Sequence, residues 1–183
     1  MPLVTESLEL SDYREHVEQL FEADSSAIVS NSCTEHAEVV IETLISHSKT
    51  SLLFFCERLK KELYQKSSVV AKLIEASKRG VAVRILTQHQ PETDLAEVIF
   101  PHLGDTTKFE IRVCPKESEG ASADMNFIVM DSKAFRYEND REKHQAFACA
   151  NSQELAGKMT TLFLKLWSNA LPAPRQVSPA AIA

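Results

Sequence analysis

Glycine is scarce in this chain of 183 residues, with four in all, and it has one tryptophan and four cysteines. Few glycines mean few turns and breaks in the body of the chain. Seven prolines are present, and several crowd into the last dozen residues. The cysteines, at 33, 56, 114 and 149, have no short spacing of the zinc-site or redox-pair kind. Cys56 and Cys149 lie in apolar runs, as reduced core thiols do in a reducing compartment. No charged-then-apolar leader opens the sequence, and no apolar run is long enough to span a bilayer. A cytoplasmic protein with no membrane partner is therefore expected. Positive charge is also short, with a net charge of −6. Affinity for nucleic acid comes mainly from neutralising phosphates, so autonomous nucleic-acid binding is disfavoured. A local basic run, Lys60, Lys61 and Lys66 followed by Lys72, Lys78 and Arg79, is the one candidate contact. Interleaved Glu57, Glu62 and Glu75 make it read first as a solvated helix face.

The remaining composition is that of a folded protein: 44% hydrophobic and 25% charged residues in a length that suits one domain. Periodicity predicts a short amphipathic helix over 11–22, started by Ser11, that either packs on the core or docks on a partner. A strand at 27–30 follows. Ser32 and Glu35 have capping-box spacing for a helix to about residue 49. The continuous apolar run 51–56 reads as a strand covered on both faces. A helix over 67–79 should stop at Gly80, ahead of a strand at 81–87. A weaker helix is predicted over 94–102 and a strand at 109–114. Strands at 127–130 and 134–137 flank a tight turn at 131–133, and another strand is expected at 145–149. A helix over 152–169, capped by Asn151 and Glu154, closes the fold, and a Pro/Ala-rich tail over 171–183 is expected to be disordered.

Two strand–helix–strand passages in succession predict an α/β fold with a mostly parallel central sheet flanked by helices. The organisation expected is an N-terminal helical segment over 1–24, an α/β domain over 25–170 and the tail. No histidine pair has metal-site spacing with a third ligand nearby, so neither a metal nor another cofactor is expected.

The order of elements, with Leu73-Ile-Glu-Ala-Ser-Lys-Arg-Gly-Val-Ala-Val-Arg-Ile-Leu86, Asn126-Phe-Ile-Val-Met-Asp-Ser-Lys-Ala-Phe-Arg-Tyr-Glu138 and Leu162-Phe-Leu-Lys-Leu-Trp167, resembles one half of a phospholipase D-like enzyme. The resemblance covers residues 25–170. Enzymes of that superfamily carry His-x-Lys followed after four residues by Asp, on the strand that enters the late hairpin. Alternation along a strand places the histidine and lysine on one face, where the histidine attacks phosphorus and the lysine neutralises developing charge. The aspartate secures the arrangement from the turn.

Aligned on Asp131, the histidine position falls on Asp124 and the lysine position on Asn126. Asparagine supplies no cation. A carboxylate at 124 would repel a phosphate by about 1 kcal/mol or more at an effective ε of ~20. The Gly-Ser that usually follows the motif is absent too, with Tyr137-Glu-Asn139 in its region. His144, just past the hairpin, is the histidine nearest in sequence that could replace the lost one. The resemblance thus implies a degenerate pocket of Asp124, Asn126, Asp131, Arg136 and Glu138 with no catalytic residue. It implies a homodimer, because such enzymes combine two halves across a twofold axis. The functions to weigh are a non-catalytic dimerisation, sensing or protein-interaction module, including a subunit of a regulatory or anti-phage complex. Against these stand a phosphodiesterase or nuclease with an unconventional site, and a nucleic-acid-associated subunit.

Overall fold

A computed structural model of the chain describes residues 3–90, 99–103, 108–140 and 145–173. Helix α1 (Leu3–Glu22) leads into strand β1 (Ile28–Asn31), helix α2 (Thr34–His47) and strand β2 (Ser51–Cys56). A short helix α3 (Lys61–Tyr64) and helix α4 (Ser67–Lys78) precede β3 (Ala82–Thr87). Then come β4 (Phe109–Val113), β5 (Asn126–Met130), β6 (Ala134–Asp140), β7 (Gln145–Cys149), helix α5 (Gln153–Ser168) and β8 (Leu171–Pro172).

The strands form one sheet in the order β1-β7-β6-β5-β2-β3-β4-β8. Only β2/β3 and β3/β4 are parallel. All other ladders are antiparallel, which corrects the expectation of a mostly parallel sheet. The cause is local. The β5–β6 and β6–β7 connections are too short for a crossover, and close strand-to-strand connections return the chain antiparallel. The α2 crossover, for its part, leaves β1 at the far edge beside β7 rather than next to β2.

Helices cover both faces. On one side Val40, Ile41, Leu44, Val70 and Leu73 pack on Leu52, Phe54, Val83, Ile85 and Ile128. On the other, α5 sets Ala156, Phe163 and Trp167 against Leu53, Phe55, Phe127, Val129 and Phe135. Strand alternation thus supplies one core per face. Helix α1 begins at Leu3, well before the expected Ser11, because Leu and Glu at 3–10 favour helix and Ser11 does not interrupt it. It docks on α2: Val17 and Phe21 join the first core, Arg14 pairs with buried Glu42 at 2.8 Å, and Glu18 takes both the Thr43 hydroxyl and His47.

Several local expectations change. The α2 N-cap is Cys33 with no side-chain capping bond, so Ser32 and Glu35 form no capping box. Ser152 occupies the N-cap position of α5 without a side-chain capping bond, while Asn151 turns to Asp24. Leu171 and Pro172 pair with β4, and the Ala173 amide donates to Ile111 O, so the expected disorder does not begin at 171. The predicted helix over 94–102 falls largely outside the described residues, with a 3-10 turn at Phe100–His102. Gly80 does end α4, at φ 88°, with the Gly80 and Val81 amides closing on Ser77 O and Ala76 O. No helix among the described residues is long and apolar enough to cross a membrane.

Candidate functional site

One row of the sheet register runs Asn31, Ala146, Glu138, Asn126 across β1, β7, β6 and β5. Side chains in one row share a face, so Asn31, Glu138 and Asn126 meet under the α2 side of the sheet, with Arg136 two positions along β6 on the same side. All four are buried; Arg136, at 1% exposed, is the bulkiest fully enclosed side chain among the described residues. A buried guanidinium is costly unless it is paired, and here it is. Arg136 donates to Glu138 Oε1 and, through Nε, to Asn31 Oδ1, both at 3.3 Å. Asn126 donates from Nδ2 to Glu138 Oε2 and accepts the Glu57 amide on Oδ1 at 2.9 Å. Tyr64 of α3 lies alongside, its phenol pushed up chiefly by burial and further by neighbouring Cys56 and Glu138, against the pull of Arg136. Tyr13 of α1 feels the same guanidinium; burial nevertheless drives its phenol up to about 12. Its hydroxyl donates to Ser30 O, and its ring stacks on His36 at 3.9 Å.

The five residues expected to share a pocket therefore separate into three places. Asn126, Arg136 and Glu138 form the buried network. Asp124 is exposed and lines a shallow polar cavity of about 230 Å³ beside it, with Glu57, Gln88, His89 and Ala121–Ala123. Asp131 is not in the pocket. It sits at the opposite end of β5, five residues from Asn126 and so about 17 Å away at the rise of a strand. There its carboxylate accepts the amides of Lys49, Thr50 and Ser51 and the Thr50 hydroxyl, at 2.8–2.9 Å. Burial opposes its charge, but those donors outweigh it and hold the carboxyl below its ordinary range. Asp131 fastens the α2–β2 loop to the hairpin turn, which is a tethering role.

Sequence reasoning missed the cavity's other side chains. Glu57 follows β2 and Gln88–His89 follow β3, so the cavity lies beyond the carboxyl ends of the two central parallel strands, where open α/β sheets bind ligands. That placement was the available signal: the first polar residues after each apolar strand. Gln88 is buried, and its Nε2 donates to Gly120 O and Ala123 O, which fixes the wall formed by the 3-10 turn at Glu119–Ser122. His89 Nε2 stands 3.7 Å from Glu57 Oε1, which Arg58 also approaches. His144 lies outside the described residues.

The basic run is spent on internal contacts where its partners are seen. Lys66 pairs with Glu38, Lys72 donates to Ser46 Oγ, and Arg79 reaches the α2 C-terminal carbonyl of Ile45. Lys60 stands at the N-cap position of α3 without a side-chain capping bond, and Lys61 begins the helix. All four cysteines are free thiols, and only Cys33 is other than buried. Among the described residues no three metal-ligating side chains converge.

A mixed sheet between two helical layers is a fold that phospholipase D family members share. Solved structures bear this out. Nuc from Salmonella typhimurium, a phospholipase D family member, superposes with a TM-score of 0.61 at 16% identity, over 80% of this chain and 97% of Nuc. Phosphatidylserine synthase from Haemophilus influenzae Rd KW20 gives 0.64 at 13%, over 93% of this chain but 44% of the synthase. The archaeal chromatin protein TrmBL2, described as having a novel mode of DNA binding, gives 0.58 at 14%, over 92% of this chain and 65% of its own. These likenesses define the fold.

Within that fold the chain belongs to the family described as Domain of unknown function (DUF7931), whose profile matches residues 33–176. No curated protein matches the sequence.

Proposed function

We propose that this chain is a phospholipase D-like domain without phosphodiester chemistry, acting as a homodimeric sensing or protein-interaction module, such as a subunit of a regulatory or anti-phage complex. The observation that carries this reading is Asn126. It stands where the superfamily pattern would put lysine, and both ends of its carboxamide are committed, to the Glu57 amide and to Glu138. The neighbouring cation, Arg136, is sealed in an ion pair with Glu138. Asp124 brings negative charge to the position of the nucleophile. A phosphoryl group arriving here would meet carboxylates at Asp124 and Glu57. Homodimerisation draws support from the β1–β7 end of the sheet. There Ile28 is 56% exposed and Phe147 half-buried, on the face that α5 covers only over the central strands. The test is hydrolysis of a generic phosphodiester such as bis(p-nitrophenyl) phosphate, with sedimentation of the same sample. No turnover and a dimer are expected; turnover, or a strict monomer, contradicts the corresponding half of the reading.

A second reading, a phosphodiesterase with an unconventional site, rests on His89. Its imidazole lines the cavity, is 55% exposed, and faces the Glu57 carboxylate, an arrangement that can orient a nucleophilic nitrogen. Turnover that disappears in His89→Gln would establish it. The nucleic-acid reading has less support, because Lys66 is held by Glu38 and the chain is acidic overall.

A further inference from the structure

The face of the sheet opposite the Asn126 network carries a second charged feature. Arg84 of β3 stands in register with Leu53 and so projects to the α5 side, as does Arg112 of β4, which pairs with Leu86. Both are half-buried and both lean on one indole: Arg112 Cζ lies 4.4 Å and Arg84 Cζ 5.8 Å from the centre of the Trp167 ring. The indole itself is fixed, 6% exposed and stacked on Phe163 at 5.3 Å. Two like charges are thus drawn to one ring. Arg112 is compensated by Glu110 at 3.1 Å, and it caps the end of α5 by donating to Trp167 O at 3.3 Å. Glu110 is the residue opposite Arg84 in the register, yet its carboxylate is turned to Arg112. Among the described residues no carboxylate pairs with Arg84. Among the described residues, a chain of net charge −6 thus sets a guanidinium without a carboxylate partner beside another, on the α5 side of the sheet.

We infer that Arg84 and Arg112, held against Trp167, form a binding site for a single oxyanion, a phosphate or a carboxylate. A guanidinium offers five donors in a planar fork that matches both groups, and the contacts of Arg112 leave part of its fork unused. Stacking on the indole fixes both side chains in the free protein, which removes much of the ordering cost of binding. The site suits one anionic group rather than a polyanion track, because it offers two cations on a surface of opposite overall sign.

Trp167 is the sole tryptophan of the chain, so its emission reports on this site alone. The protein is titrated with inorganic phosphate and, separately, with acetate, against sodium chloride at equal ionic strength. A saturable change in Trp167 emission beyond the chloride control is expected with at least one anion. Saturation by phosphate alone assigns a phosphoryl ligand, by acetate alone a carboxylate ligand. Arg84→Gln should weaken binding about tenfold, in line with loss of one charge-assisted contact. Glu110→Gln, which removes the internal competitor, should strengthen it, an effect that a merely structural role for Arg84 would not produce. No saturable change with either anion, equal affinity in Arg84→Gln, or no gain in Glu110→Gln overturns the inference. The Glu110 variant keeps the test decisive if Arg84→Gln fails to fold.

Discussion

Asn126 and Glu138 stand directly opposite each other on β5 and β6, and the carboxamide of one donates to the carboxylate of the other inside the helix-covered face of the sheet. Arg136 completes the unit by pairing with the same carboxylate from two residues away. Such a cluster is self-contained. Removing one charge strands the other in a medium that solvates it poorly.

Arg136→Met should therefore destabilise the protein by about 3–5 kcal/mol, the usual loss when a buried ion pair is broken from one side. Glu138→Leu should do comparable harm. The double variant should lose much less than the sum, since no buried charge remains unpaired. Urea denaturation of the four proteins checks this. Additive losses would mean that the two charges do not act as a pair.

Asp131 makes a different prediction, about acid. Its carboxyl is held below its ordinary range, so the folded state binds its proton less readily than the unfolded state does. The stability it contributes is fully present above about pH 4, the value in an unfolded chain, and is lost as pH falls through the depressed folded value. Glu42, paired with Arg14, acts in the same direction: burial opposes its charge, but Arg14 and Ser68 outweigh it. Asp131→Asn should lower stability at neutral pH by about 2 kcal/mol through loss of charge-assisted acceptors, and it should flatten the acid limb of the stability profile. An unchanged limb in thermal melts between pH 3 and 7 would contradict the tethering role.

The turn beside it carries strain. Asp131 and Ser132 have φ of 51° and 54°, and the Lys133 amide closes on Met130 O, a tight turn within the three-residue hairpin loop 131–133 with both central residues left-handed. Ser132 is exposed, and glycine holds that backbone without steric cost. Ser132→Gly should raise stability by about 0.5–1 kcal/mol, read as an upward shift in melting temperature. A downward shift would show that the Ser132 contact with Thr160 matters more than the backbone.

The sequence made local features legible and long-range choices obscure. The stop at Gly80 and the turn at 131–133 depend on a few adjacent residues, and both stand as expected. The apolar run at 51–56 likewise became the doubly covered β2 at the heart of the sheet. Sheet polarity was not legible, because β1–α2–β2 has the same local pattern whether β1 joins β2 or crosses to β7. Within the expected pocket, Asn126, Arg136 and Glu138 were grouped by the resemblance rather than by periodicity, and they lie together on one face of β5 and β6. The contact of Arg136 with Asn31 spans too much chain to be read from spacing. Asp131 was misplaced for the opposite reason: motif spacing says that it accompanies the site without saying that it sits at the far end of the strand. Glu57, Gln88 and His89 join Asp124 only because β2 and β3 end side by side.

The loss of phosphoryl chemistry at positions 124 and 126 is most directly tested by trapping. The protein is incubated with a phosphodiester, quenched under alkaline conditions that preserve phosphohistidine, and its intact mass measured. An unmodified chain at every time point is the predicted result. A phosphoryl adduct, on His89 or on any other residue, would contradict it.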